Sequence, residues 1–337
     1  MQDRLICDTI VTVKMCVSTD CIQLYFNVVI KSLTGKEHLI MLCYVCPHRC
    51  GVDRPNSITD TDGMFGCCGV GILPVVSRAG VHMWEEPCLS GTRGAGTVFF
   101  TGCNLHCCYC QNYEISCLDK GKEISVARLK KIYHELIDKG VHNIDLVTPT
   151  HFAYSILQSL DEKLPVPVVY NTSGFEVTDT LLKFEGKVQI WLPDLKYSDD
   201  MLALKYSNAY DYWNIARKAI LEMFRQAGPY KLDEDGIMQS GVIIRHLVLP
   251  GFMDNTKRVI DWIARTFKSG DVMFSLMHQY VPCGRASEYP ELNRKVTPEE
   301  YKEVEDYLFA SGIEDGFVQE GDAASGEFIP CFDGTGV

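Results

Sequence analysis

Thr101-Gly-Cys-Asn-Leu-His-Cys-Cys-Tyr-Cys110 follows directly on the apolar run Thr97-Val-Phe-Phe100. Within it Cys103, Cys107 and Cys110 stand at C-x3-C-x2-C spacing, on what reads as a loop leaving a strand. A [4Fe–4S] cluster that only carries electrons takes four cysteine thiolates, so a compact loop of three leaves one iron open for a substrate or cofactor. The competing reading, a structural zinc site, usually brings paired C-x2-C hooks. Cys108 is read as a non-ligand, because the spacing is complete without it.

Composition suits an enzyme built on one large core. The chain has 337 residues, 46% hydrophobic and 23% charged, enough for a large domain with appendages. A net charge of −12 speaks against nucleic acid as the principal partner, since phosphate contacts need clustered Lys and Arg. The sixteen cysteines would suggest disulfides only in a secreted chain. The N-terminus lacks the basic, apolar and small-residue succession of a signal peptide, so a cytoplasmic protein with reduced or metal-bound thiols is expected. The apolar run Ile22 to Ile30 is broken by Gln23 and Asn27 and falls far short of the ~20 residues that cross a bilayer. No membrane span is expected.

Four segments are distinguishable. Residues 1–42 carry Cys7, Cys16 and Cys21 and a β-prone stretch, and read as an extension. Residues 43–96 form a Cys-rich module and connector. Cys43, Cys46, Cys50 and Cys68 offer four soft thiolates from two loops, which suit zinc or an auxiliary iron–sulfur cluster, and the shortage of apolar periods suggests a module held by its metal. Residues 97–290 alternate short β-rich runs with helical patterns, the order of parallel βα units. Residues 291–337 hold a closing helix.

The predicted strands are Thr97–Phe100, Asn143–Thr148, Val166–Asn171, Val188–Leu192, Val242–Leu249 and Val272–Met277. Ser125 is placed to cap a helix with Leu129, Ile132, Tyr133, Leu136 and Ile137 on one face and Gly140 closing it. A second helix is read over Tyr210–Gln226, a third begins with Asn255 as its cap, and Thr297-Pro-Glu-Glu300 reads as a capping box. The fold class is therefore α/β, with six βα units; the resemblance described next implies that they form a partial TIM-like barrel. Chemistry on such barrels gathers at the C-terminal ends of the strands.

At those ends the chain resembles the radical S-adenosylmethionine (SAM) superfamily, whose signature is the Cys103–Cys107–Cys110 spacing with an aromatic residue, here Tyr109, before the last cysteine. It is most similar to the glycyl-radical-enzyme activating branch typified by pyruvate formate-lyase activating enzyme, from about residue 43 to the C-terminus. The matches run in order: Asn171-Thr-Ser-Gly174, Asp194-Leu-Lys196, then Arg245 with Leu249-Pro-Gly251. One departure stands out. After the second strand the activating enzymes carry a Gly-Gly-Glu motif that receives the methionine amino group, whereas this chain has Thr148-Pro-Thr-His151.

The resemblance implies a partial (β/α)6 radical SAM barrel, a [4Fe–4S] cluster, reductive cleavage of SAM to a 5′-deoxyadenosyl radical, and a low-potential donor such as flavodoxin or ferredoxin. A protein substrate is expected if the chain is an activase; a small molecule or another macromolecule is the alternative. A non-enzymatic carrier or scaffold is a third reading, disfavoured by the Asp194 and Lys196 pair. Chemically, Lys196 can donate to the SAM carboxylate, Asp194 can accept from an ammonium or a ribose hydroxyl, and the Tyr109 backbone can meet the adenine edge. Thr148 and Asn171 are further cofactor-side candidates, and His151 is weighed as a donor, a base or a loop residue. Arg245 and His246 are neighbours in one strand and must face opposite ways. Arg245 is expected inside the barrel, as a ligand or paired to a buried carboxylate, and His246 toward the helices. His278, Gln279, Tyr280 and the turn Gln319-Glu-Gly-Asp322 are read as possible lining of the substrate space.

Overall fold

The computed structural model describes residues 25–31, 37–54, 65–118, 120–319 and 330–337. The cysteines expected in the extension (Cys7, Cys16, Cys21) and residues 320–322 of the Gln319–Asp322 turn lie outside the described residues.

Strands β1 (Tyr25–Lys31) and β2 (Glu37–Cys43) pair as an antiparallel hairpin. The barrel follows: β3 (Val75–His82), β4 (Ala95–Phe100), β5 (Lys122–Glu123), β6 (Ile144–Val147), β7 (Val168–Thr172), β8 (Ile190–Pro193), β9 (Lys231–Leu232), β10 (Met238–Leu247), β11 (Met273–Met277) and β12 (Gly316–Val318). Its sheet runs β12-β11-β10-β8-β7-β6-β4-β3-β5. From β4 to β12 every neighbouring pair is parallel. The six expected strands are all present, and a short seventh, β12, extends the row. Strands β4, β6, β7, β8 and β11 are buried along their whole length, which is why they read as continuous apolar runs. On the other flank β3 lies antiparallel to β4, an edge that the sequence reading did not include.

The helices are α1 (Pro87–Ser90), α2 (Tyr113–Ser116), α3 (Val126–Ile137), α4 (Ala153–Ser159), α5 (Thr178–Leu181), α6 (Asp200–Ser207), α7 (Tyr212–Ala227), α8 (Met253–Thr266) and α9 (Pro298–Ala310). Ser125 caps α3 through Arg128 N, and Thr297 with Glu300 forms the reciprocal capping box of α9. Asn255 is not a cap. Helix α8 begins before it, and the buried Asn255 side chain accepts from Ser198 N at 2.7 Å and donates to Lys196 O at 3.1 Å. It braces the turn that follows β8. No helix among the described residues is long and apolar enough to cross a membrane.

The Cys-rich module does not stand apart from the barrel. Cys43, Val45, Cys46, Cys68 and Val70 are buried in the same core cluster as Phe100, Tyr170 and Trp191. Apolar burial thus ties it to the barrel.

Candidate active site

The loop after β4 is shaped by its glycine. Gly102 has φ +83°, and a Cβ there would lie 2.6 Å from Cys68 O, so only glycine lets the loop turn this close to the Cys-rich module. His48 Nε2 meets Asn104 O, and His106 Nε2 meets Cys67 O, each at 2.6 Å, so the module grips the loop from two sides. The loop brings Cys103, Cys107 and Cys110 to the wall of a cavity of about 550 Å³. Cys108 is absent from that wall. It is buried, and its backbone is tied to Tyr206 O and Arg285 N.

Tyr109, Thr148, Asn171, Asp194, Lys196 and Arg245 line the same cavity. Asp194 stands at its centre. Lys196 Nζ donates to Asp194 Oδ2 at 2.6 Å, and Arg245 Nε donates to Oδ1 at 2.9 Å. Burial alone would raise the Asp194 pKa, but Arg245 and Lys196 outweigh it and hold the carboxyl below the ordinary range. Arg245 carries both features weighed for it, since it faces the cavity and is paired to buried carboxylates. Its Nη2 donates to Asn171 Oδ1 at 2.6 Å and its Nη1 to Glu85 at 3.3 Å. His246 points the other way, with Nδ1 on Leu195 O and Nε2 on Thr256 of α8.

Thr148 is held at φ +60°, a left-handed conformation costly for a β-branched residue. His151 does not line the cavity. It is buried against Phe152, with Nε2 on Thr101 O at 2.8 Å, and burial pushes its pKa down to about 3. Of the later residues, Gln279 and Gln319 line the cavity, while His278 stacks on Tyr301 and Tyr280 packs against Tyr109.

The donor set fits a cubane and its cofactor. The sulfurs already accept hydrogen bonds, Cys103 from Leu105 N at 3.3 Å, Cys107 from Ser207 Oγ at 2.9 Å and Cys110 from the Ser116 side chain. The Tyr109, Tyr197 and Ser207 hydroxyls run in series to Cys107 with 2.6 Å steps between them. Burial pushes the Cys103 and Cys110 thiols up to about 12, with help from neighbouring thiols, so a metal must displace their protons. The cavity wall also holds Ser173, whose buried hydroxyl has no hydrogen-bond partner and is free for a ligand. Among the described residues, no three His, Cys, Asp or Glu side chains close around a single ion. A cubane does not require that, because each thiolate takes its own iron. A zinc site at Cys43, Cys46, Cys50 and Cys68 does require it, and there the free Cys43 and Cys50 thiols are hydrogen-bonded to one another.

The sequence reading missed Ser207 and the acidic pair Glu85 and Glu86. The available signal for the pair was Trp84-Glu-Glu-Pro87, two adjacent acids between a tryptophan and a proline.

The profile of the Radical SAM superfamily matches residues 97–321, and the chain belongs to that superfamily. An uncharacterized protein of Methanocaldococcus jannaschii is 30% identical over 283 residues, covering 81% of this chain and 75% of its own. Among solved structures, a spore photoproduct lyase mutant superposes with TM-score 0.45 at 14% identity, over 65% of this chain and 74% of that one. A domain of a pyruvate-formate lyase-activating enzyme from Bacteroides vulgatus gives 0.34 at 13% identity, over 58% and 91%.

Proposed function

We propose that Cys103, Cys107 and Cys110 hold a [4Fe–4S] cluster, that SAM binds beside it, and that the enzyme abstracts a hydrogen atom from a substrate in the barrel. The observation that carries this is the convergence of the three-thiol loop and the Asp194–Lys196 pair on one cavity. Lys196 offers ammonium donors to the SAM carboxylate, Asp194 fixes Lys196 and Arg245 in place, and Ser173 offers an unused hydroxyl. When bound, cluster and SAM supply a 5′-deoxyadenosyl radical after one electron arrives from a low-potential donor such as flavodoxin or ferredoxin. The buried walls keep water from that radical. A cytoplasmic, reducing setting suits these thiols.

Activation of a partner protein by glycyl-radical formation is the reading supported by the Asn171–Gly174, Asp194–Lys196 and Leu249–Gly251 matches. Radical modification of another substrate is favoured by the altered turn at Thr148 and by the charged floor described below. The Cys43, Cys46, Cys50 and Cys68 thiols are proposed as a second metal site, assembled only when the metal draws Cys43 and Cys50 apart.

The deciding experiment is anaerobic incubation of the reconstituted protein with dithionite and SAM, with chromatography for 5′-deoxyadenosine. Product from the wild type and none from Cys107→Ala supports the proposal. No product from a protein containing four irons per chain would count against it.

A further inference from the structure

Below the Asp194–Lys196 pair the barrel is closed by a plug from the connector between β3 and β4. Helix α1 packs at the N-terminal ends of the strands, where a Cβ on Gly91 would strike His142 and Ile237, which lie just before β6 and β10. This placement sends Glu85 and Glu86 up into the barrel, where both line the cavity floor with side chains only 10% and 8% exposed.

The charges there do not balance. Four carboxyls, those of Glu85, Glu86, Asp145 and Asp194, gather here, and burial raises the pKa of the first three. Among the described residues Arg245 and Lys196 are the cations facing the group, and their hydrogen bonds are committed: Lys196 to Asp194, and Arg245 to Asp194, Asn171 and Glu85, with Glu86 met only as a long ion pair. Glu86 bonds to Ser275 of β11, yet its Oε2 has no hydrogen-bond partner and stands 3.9 Å from Arg245 Nη1, out of reach. A buried carboxylate oxygen left bare in a cavity is costly unless a ligand completes it.

Resting on the SAM reading above, we infer that the substrate carries a compact organic cation, an alkylammonium or guanidinium group, which Glu86 binds at the barrel floor, deeper than SAM. Burial raises the Glu86 pKa and Arg245 opposes that rise; an arriving cation adds to the opposition and favours the carboxylate. Anchored there, the substrate's neighbouring C–H bonds are held in the cavity beneath the cofactor.

The test is calorimetric, on cluster-reconstituted protein with SAM bound, under anaerobic conditions. Cadaverine and agmatine probe free amines, N-acetyl-lysine amide and N-acetyl-arginine amide probe the same groups as peptide side chains, and 1,5-pentanediol is the uncharged control. Cations from at least one source are expected to bind and the diol is not; which source binds tells a free amine from a side chain. Glu86→Gln is expected to weaken cation binding at least about thirtyfold. Glu86→Asp serves as a second variant should the first lose its cluster; it withdraws the carboxylate by one methylene and is expected to weaken the same cations. The inference is overturned if no cation binds, if the diol binds equally well, if both variants bind cations like the wild type, or if the cations displace SAM. Failure of SAM itself to bind any sample would instead sink the underlying reading.

Discussion

Ser207 Oγ donates to Cys107 Sγ at 2.9 Å, across 100 residues of sequence, and ties the end of α6 to the cysteine loop. A hydrogen bond to a cluster sulfur eases reduction by offsetting the added negative charge. Ser207→Ala is therefore expected to lower the cluster's reduction potential, at a stability cost of about 1 kcal/mol. A redox titration followed by electron paramagnetic resonance checks this, and an unchanged potential would contradict it.

Asp194 and Lys196 separate binding from stability. Asp194→Ala leaves Arg245 and Lys196 buried without their shared carboxylate, a loss of about 3–5 kcal/mol that thermal unfolding would report. Lys196→Ala leaves the Asp194–Arg245 pair intact, so its main effect is at least about tenfold weaker SAM binding. Equal destabilisation by both, with wild-type SAM affinity, would remove them from the cofactor site.

Glu176 is buried, accepts from Thr150 and Thr172, and has its pKa pushed up by burial to about 7. The folded state thus holds a proton that the unfolded chain releases near pH 4.5. This contribution to stability is full below that pH, falls as pH rises, and is gone above about 7. Glu176→Gln mimics the protonated form, so it is expected to raise Tm at pH 8 and leave it nearly unchanged at pH 4. No difference between the two pH values would refute the assignment.

The barrel was legible because a parallel strand covered on both faces must be apolar along its length, and those runs stand out in the sequence. The cysteine loop was legible because its chemistry is local. Strand β3 was harder to read, since it carries the half-buried Arg78, exposes Val81 and bends at a bulge. The acidic floor could not be read, because the meaning of Glu85 depends on Arg245, 160 residues away. The grip of the Cys-rich module on the cluster loop could not be read for the same reason: it is made through contacts such as His48 to Asn104, 56 residues apart.

That grip carries a prediction of its own. Cys50→Ser should loosen the loop as well as the module, because Cys50 bonds to Cys43 in the shared core and the module holds Asn104 and His106. Hydrogen exchange at residues 103–110 is expected to rise and iron content to fall. A fully occupied cluster with unchanged exchange would show the two to be independent after all.

The most direct measurement is low-temperature electron paramagnetic resonance of the dithionite-reduced protein, with and without SAM. The account predicts a [4Fe–4S]⁺ signal that requires Cys103, Cys107 and Cys110 and whose g values shift when SAM reaches the open iron. A signal indifferent to SAM, or one that persists when all three cysteines are replaced by alanine, would contradict it.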